Sequence, residues 1–368
     1  MPICVLTTIK KALQKSKKSE VCDIMKIGIV TVYNSYNVGS FWQAYSLQKV
    51  LKEKGNDVYF TKTKPFIKSR FYYRLLQAIK YILVGNPKRA YYLLKVYFNF
   101  KKAHKKFNIV KNSKNIDLMI YGSDTIWNFE DVYFLNLKNY FLGNDFSGKK
   151  IAYAVSMANT TDDKMVSAIG NTNSLNKFSA LALRDNRTYN YVKENVNEEI
   201  CVEKVLDPTF LIEPEKYKEI LPKCPDENYI FFYYFCKVPE NVVKIVKEYA
   251  KKTNRKIIVL GENVSWADKN IIVEPFEILS YLYNADYIIT NTFHGSVFSL
   301  IFNKQFIDFG NNKIKIKELL EEFSLTERFA DENSDFSFMF DKIIDYDVVN
   351  KKIEVLREHS LNYLNNVL

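Results

Sequence analysis

The run Thr290-Asn291-Thr292-Phe293-His294-Gly295-Ser296 carries the residue types that proton transfer requires. It follows the apolar run Asp286 to Thr290 and precedes a second apolar stretch reaching Asn303, so His294 opens a helix directly after a strand. A helix start presents backbone N–H groups and the positive end of the helix dipole, a setting that favours an anion. An imidazole there can pass protons near neutrality, while Gly295 lets a ligand approach the backbone and Ser296 offers a hydroxyl. Taken alone, the same arrangement equally suits a structural histidine that hydrogen-bonds at a helix start. The other two histidines, His104 in a basic stretch and His359 in a C-terminal helical segment, read as solvated.

Cations that could meet such a group lie elsewhere in the chain. Arg184 and Arg187 follow the apolar run Phe178 to Leu183, and a guanidinium fork matches carboxylate or phosphate oxygens in pairs. Arg187 suits an ion pair or a helix cap as well. Lys313 and Lys315, on the loop expected after Phe309, are further candidates whose plain alternative is solvation. Two polar strand-end turns, Asn34 to Ser40 with Asn37, Gly39 and Ser40, and Gly122-Ser123-Asp124, could take sugar hydroxyls or phosphate, or could cap helices. Gly28 lacks the further glycines of a dinucleotide fingerprint, and no P-loop pattern occurs. The five cysteines form no C-x-x-C pair and no acidic cluster ends a strand, so no metal site is expected.

Apolar runs and helical spacings alternate along the chain. Ile27 to Tyr33 reads as a strand, the segment up to Gly55 as a helix, and Asp57 to Phe60 as a second strand, which makes a βαβ start whose ligand sites lie beyond the strands' carboxyl ends. Further strands are expected at Ile116–Tyr121, Lys150–Ser156 and Phe178–Leu183, then at Tyr229–Cys236, Lys256–Leu260, Asp286–Thr290 and Gln305–Phe309. Helices are expected over Pro239–Lys252, Phe276–Tyr283, His294–Asn303 and Asp347–Asn365. A hinge falls between Val205 and Asp226. The simplest architecture is α/β, with two open parallel sheets facing one another across a cleft.

Length and composition agree with this. A chain of 368 residues exceeds what one core usually serves, which argues for two domains, and 47% hydrophobic residues suffice to fill them. The expected boundaries are an extension over 1–24 that is disordered or mis-started, a first domain over 25–210 with a helical insertion at about 61–108, a second domain over 211–345, and a closing helix over 346–368. No run of about 18 uncharged apolar residues occurs, so no membrane span is expected, and scattered cysteines suit a reducing cytoplasm. The net charge of +11 is local: Lys62 to Lys106 holds thirteen Lys and Arg and no Asp or Glu. That stretch is aromatic and amphipathic, broken near Gly85-Asn86-Pro87. It reads either as compositional bias or as a surface for anionic membrane lipid, with nucleic acid a weaker reading for want of a binding module.

Several segments taken together are more specific than any one. They are Thr31 to Gln48 with Asn34, Asn37, Gly39 and Gln43; Tyr121-Gly122-Ser123-Asp124-Thr125-Ile126-Trp127-Asn128; Ala152 to Ser156; Leu183-Arg184-Asp185; Leu206-Asp207-Pro208-Thr209; and Asn291 to Asn303. In order and spacing the chain resembles the polysaccharide pyruvyl transferase family from Met25 to about Leu325. The resemblance implies two Rossmann-like domains in a GT-B-like arrangement. It also implies transfer of a pyruvyl group from phosphoenolpyruvate to two hydroxyls of a sugar in a cell-surface glycan or its lipid-linked precursor, giving a pyruvate ketal and phosphate without metal or cofactor. By that resemblance His294 and Arg184 belong to the catalytic centre, with a downstream cation at Lys313 or Lys315 where relatives often show Arg. Two other readings share the architecture or the setting: a GT-B glycosyltransferase using a nucleotide sugar, and a non-catalytic scaffold at a membrane surface.

Overall fold

The computed structural model describes residues 24–63, 71–111, 113–235, 237–261, 263–310 and 314–368. The expected N-terminal extension, apart from Ile24, part of the basic stretch, and Lys313 lie outside these residues.

Among the described residues thirteen strands form two sheets, every pairing parallel. The first sheet holds β1 (Lys26–Val30), β2 (Asp57–Thr61), β3 (Ile109–Val110), β4 (Leu118–Tyr121), β5 (Lys149–Val155), β6 (Ala180–Leu183) and β7 (Cys201–Lys204), in the order β3-β2-β1-β4-β5-β6-β7. The second holds β8 (Tyr229–Tyr233), β9 (Lys256–Leu260), β10 (Lys269–Ile271), β11 (Tyr287–Thr290), β12 (Gln305–Phe309) and β13 (Phe329–Ala330), in the order β10-β9-β8-β11-β12-β13. The central strands are apolar without alternation because helices cover both faces of a parallel sheet. β1 shows this: Ile27 and Ile29 enter one core, Val30 the core on the opposite face. Gly28 serves packing here, since a Cβ would meet the Met119 sulfur at 2.7 Å.

The strand order reverses between β1 and β4 in the first sheet and between β8 and β11 in the second. Such switch points leave a crevice at the strands' carboxyl ends because the adjoining helices depart to opposite faces. Short edge strands β3, β7, β10 and β13 were not foreseen from the sequence, because two to four residues carry no readable period.

The two halves share one apolar core. Trp42, on helix α1 (Val38–Glu53), packs edge-on against Phe276 and Phe298 of the second half, with ring centroids 4.9 and 6.1 Å away, and Tyr217 meets Phe298 at 5.9 Å. Helix α2 (Phe71–Leu83) and helix α3 (Pro87–Ala103) form a hairpin inserted after β2. The C-terminal helix, Tyr346–Val367, crosses back to the first sheet, where the Tyr363 hydroxyl donates to the Ala152 carbonyl at 3.0 Å and the Leu206 N–H donates to Ser360 Oγ at 3.0 Å. The relative position of the two sheets is therefore fixed from both sides. No helix among the described residues is long and apolar enough to cross a membrane.

Candidate active site

Both switch points open into one cleft of about 260 Å³, lined by Asn37, Ser40, Asp124, Arg184, His294 and Lys315 among others. From the first sheet, the turn after β1 ends in Asn37, which caps α1: its Oδ1 accepts from the N–H groups of Gly39 at 2.8 Å and Ser40 at 3.1 Å. Ser40 Oγ in turn donates to Asp124 Oδ2 at 2.6 Å, tying that cap to the turn after β4. From the second sheet, Asn291 clamps the ends of β8 and β11 together, accepting from Phe235 N–H and donating to the Phe235 carbonyl, each at 2.8 Å. Thr292 then caps helix α4, Phe293–Ile301, with its Oγ1 accepting from Gly295 N–H at 2.9 Å. His294 thus stands on the first turn of α4 at the cleft, as its sequence position implies.

The imidazole is held from two sides. Its Nε2 lies 3.7 Å from Asp207 Oδ2, ion-pair distance but beyond hydrogen bonding. Its Nδ1 edge rests on Gly39, where a Cβ would come within 2.0 Å of Nδ1 and 2.5 Å of Cγ. Gly39 is therefore a residue that makes room for the histidine.

Asp207 is the site residue that sequence reasoning missed. It sits in the turn leaving β7, where Asp207-Pro208-Thr209 reads as hinge and cap, and its Oδ1 does accept from Thr209 N–H at 3.1 Å and Thr209 Oγ1 at 2.8 Å. Its Oδ2, however, accepts from Arg184 Nη1 at 2.6 Å and Ser123 Oγ at 3.4 Å. Burial alone would raise its pKa, but His294, Arg184 and the Thr209 N–H outweigh that and hold the carboxyl well below the usual carboxylate range. The only sequence signal was its place in Leu206-Asp207-Pro208-Thr209, one of the segments that carry the family resemblance, with nothing to say which side chains it would meet.

Arg184 is buried; burial would weaken its charge, but Asp207, Asp124 and Asp185 more than compensate. Its guanidinium lies over the Phe293 ring at 4.7 Å. Lys315 is half-buried across the same cleft. It belongs to the first turn of helix α5, Ile314–Glu322, and not to a loop, because Ile316, Leu319 and Leu320 recur at helical spacing and pack inward. Burial first, then the nearby Arg184 charge, push its pKa down to about 8. Arg184, already paired with Asp207, and Lys315 meet in one cleft beside a helix N-terminus, a setting that suits an anionic ligand.

Other expected site residues stand elsewhere. Arg187 turns away from the cleft, donating to the Thr160 carbonyl and lying 3.7 Å from Asp162. Ser296 Oγ is buried and donates to Asp308 Oδ2 at 2.7 Å, so it supports α4 from behind. Gly295 faces Thr290 Oγ1, which a Cβ would meet at 2.1 Å, so the missing side chain serves packing and not ligand approach. Gly122 packs on β5, and Ser123 holds Asp207 without lining the cleft. His104, read as solvated, is half-buried with its ring near those of Phe41, Phe100 and Phe107, and burial lowers its pKa to about 4. His359 is half-exposed and pairs with Glu203 at 3.0 Å. Among the described residues, no group of three or more His, Cys, Asp or Glu is placed to hold a metal ion.

Solved structures similar to this one include a protein from Listeria monocytogenes assigned as a UDP-N-acetylglucosamine 2-epimerase, at 7% identity and TM-score 0.51, covering 90% of this chain and 91% of that one. S. aureus MnaA solved with UDP follows at 12% identity and TM-score 0.49, covering 94% and 98%. Arabidopsis thaliana UGT89C1 solved with UDP-L-rhamnose has 10% identity and TM-score 0.45, covering 92% and 94%. At 7% identity the likeness to the Listeria protein concerns the fold alone. No curated protein sequence matches the chain. The sequence profile of polysaccharide pyruvyl transferases matches residues 37–313, a span that runs from the α1 cap through β12 and takes in Arg184, Asp207 and His294; the chain belongs to the polysaccharide pyruvyl transferase family.

Proposed function

We propose that the protein transfers the pyruvyl group of phosphoenolpyruvate to two hydroxyls of a sugar in a surface glycan or its lipid-linked precursor, forming a cyclic ketal and releasing phosphate. The observation that carries this reading is the convergence of His294, Arg184 and Lys315 on one cleft at a helix N-terminus. Phosphoenolpyruvate carries a carboxylate and a phosphate, and two cations in one cleft match that pair of anions.

The chemistry needs a proton on the methylene carbon, which converts the enol phosphate into an oxocarbenium-like centre. His294 is the proton donor in this reading, and Asp207 steadies the imidazole. One sugar hydroxyl then bonds to the central carbon and gives up its proton. The carbon–oxygen bond to phosphate breaks, and a second hydroxyl bonds to the same carbon and loses its proton. Of the two hydroxyl protons, one balances that spent on the methylene and the other leaves on hydrogen phosphate. Arg184 and Lys315 neutralise the carboxylate and the departing phosphate, charge that grows as the bond breaks.

The test is incubation with phosphoenolpyruvate and a panel of nitrophenyl and lipid-linked sugars, reading phosphate release and the product mass. A pyruvyl ketal product with equimolar phosphate is expected. Release of a nucleoside diphosphate from a nucleotide sugar instead would replace this reading with a glycosyltransferase. Neither product, with His294 and Arg184 intact, would favour a scaffold.

A further inference from the structure

The α2–α3 hairpin carries apolar side chains that the fold does not use. On α2 only Ala78 is buried, whereas Tyr72, Leu76, Ile79 and Leu83 are 78%, 67%, 45% and 80% exposed. Their spacing of four, three and four residues places them in one stripe along the helix. Ile82 and Val84 extend the exposed apolar surface toward the hairpin turn. A row of large exposed apolar residues on a single face is uncommon on a monomeric protein and marks a contact surface.

Charge identifies the partner. From Phe71 to Lys106 the chain holds nine Lys and Arg and no Asp or Glu. Lys80 is exposed on α2, and α3 presents Lys88, Tyr91, Lys95 and Phe98, all exposed, along one row. An apolar stripe flanked by cations and free of acids complements a surface that is apolar below and anionic at its face, which is a bilayer containing anionic phospholipid.

The hairpin also adjoins the cleft. Tyr36, next to the cleft residue Asn37, packs against Tyr97 and Phe100 of α3, with centroids 6.0 and 5.7 Å away, and Arg74 of α2 lies over the same ring at 4.9 Å. On the other side Asn99 donates to the Ile272 carbonyl at 3.3 Å and Lys102 pairs with Glu274 at 3.2 Å. The hairpin therefore bridges the two halves beside the cleft.

We propose that the α2–α3 hairpin is an interfacial membrane-docking element that seats the protein on anionic bilayers through Tyr72, Leu76, Ile79 and Leu83, with its cleft beside the lipid surface. Its use for a lipid-linked acceptor rests on the transferase reading above; the docking itself does not. The test is flotation of the full chain with vesicles of phosphatidylcholine alone or with phosphatidylglycerol, at low and high salt, without any substrate. Expected is co-flotation with the anionic vesicles at low salt, at least tenfold above the neutral ones, and its loss in the triple variant Leu76→Glu, Ile79→Glu and Leu83→Glu. These side chains are exposed, so the variant should keep the wild-type melting temperature. Kinetics with a soluble sugar acceptor should not change, while turnover of a vesicle-borne acceptor falls. The docking proposal is overturned by absent flotation, by flotation that the variant keeps, or by a wild-type dimer that the same variant dissociates, since the stripe would then cover a second copy. Flotation with no phosphoenolpyruvate turnover would leave docking intact and refute the transferase reading.

Discussion

Replacing Gly39 by Ala tests the arrangement of the site most directly. The backbone at Gly39 is ordinary helix, so alanine is conformationally acceptable and improves helix propensity by up to about 1 kcal/mol. Its Cβ, however, would lie 2.0 Å from His294 Nδ1, and ordinary contact begins at 3.4 Å, so ring or helix must give by about 1.4 Å. The imidazole cannot fold aside as a flexible chain would, and it is confined by Asp207 on the other edge. Displacement of a catalytic group by about 1 Å typically costs about 10²-fold in rate, so kcat should fall by about that factor or more. Arg184 and Lys315 do not touch Gly39, so KM for phosphoenolpyruvate should stay within about threefold, the shift that about 0.6 kcal/mol would give. Steady-state phosphate release measures both constants, and a thermal melt checks that the variant folds. Wild-type kcat in a folded Gly39→Ala protein would refute the claim that the ring's position on Gly39 matters.

Two other outcomes follow from the charges in the cleft. Asp207→Ala leaves the buried Arg184 guanidinium without its closest partner, a loss of about 3–5 kcal/mol for a broken buried pair, moderated by Asp124 and Asp185 nearby; urea unfolding should show a clearly lower midpoint, and an unchanged one would dismiss the pair as structural. Lys315, with its pKa near 8, is a cation below that pH and loses its charge above it, so KM for phosphoenolpyruvate should climb as pH rises through 8, and Lys315→Met should remove the climb. The contribution of Lys315 to stability runs the other way over that window: between pH 8 and about 10 the unfolded chain keeps this proton longer, so Lys315 itself contributes increasing stability as pH rises.

Much of the fold was legible because its signals are local. Uninterrupted apolar runs marked the central strands, helical spacing marked α1, α4 and the closing helix, and polar turns marked the carboxyl ends where ligands bind. His294 could therefore be placed on a helix start from seven consecutive residues. The same local logic failed where a residue had two acceptable roles: Gly295 and Ser296 looked like ligand contacts and instead hold α4 to β11 and β12, whereas Arg187, for which an ion pair was the ready alternative, is held by Thr160 and lies beside Asp162.

By itself the sequence determined that parallel βαβ units would form two sheets and that a histidine, an arginine and a lysine would stand near strand ends. Which of them meet was decided by the tertiary structure. His294 rests on Gly39 and faces Asp207, residues from α1 and from the turn after β7. Those contacts exist only because a shared core and the returning C-terminal helix set one sheet against the other. Periodicity reports which face of an element is buried; it carries no information about the distance between two elements hundreds of residues apart, and that distance is what turns an aspartate in a hinge into the centre of the site.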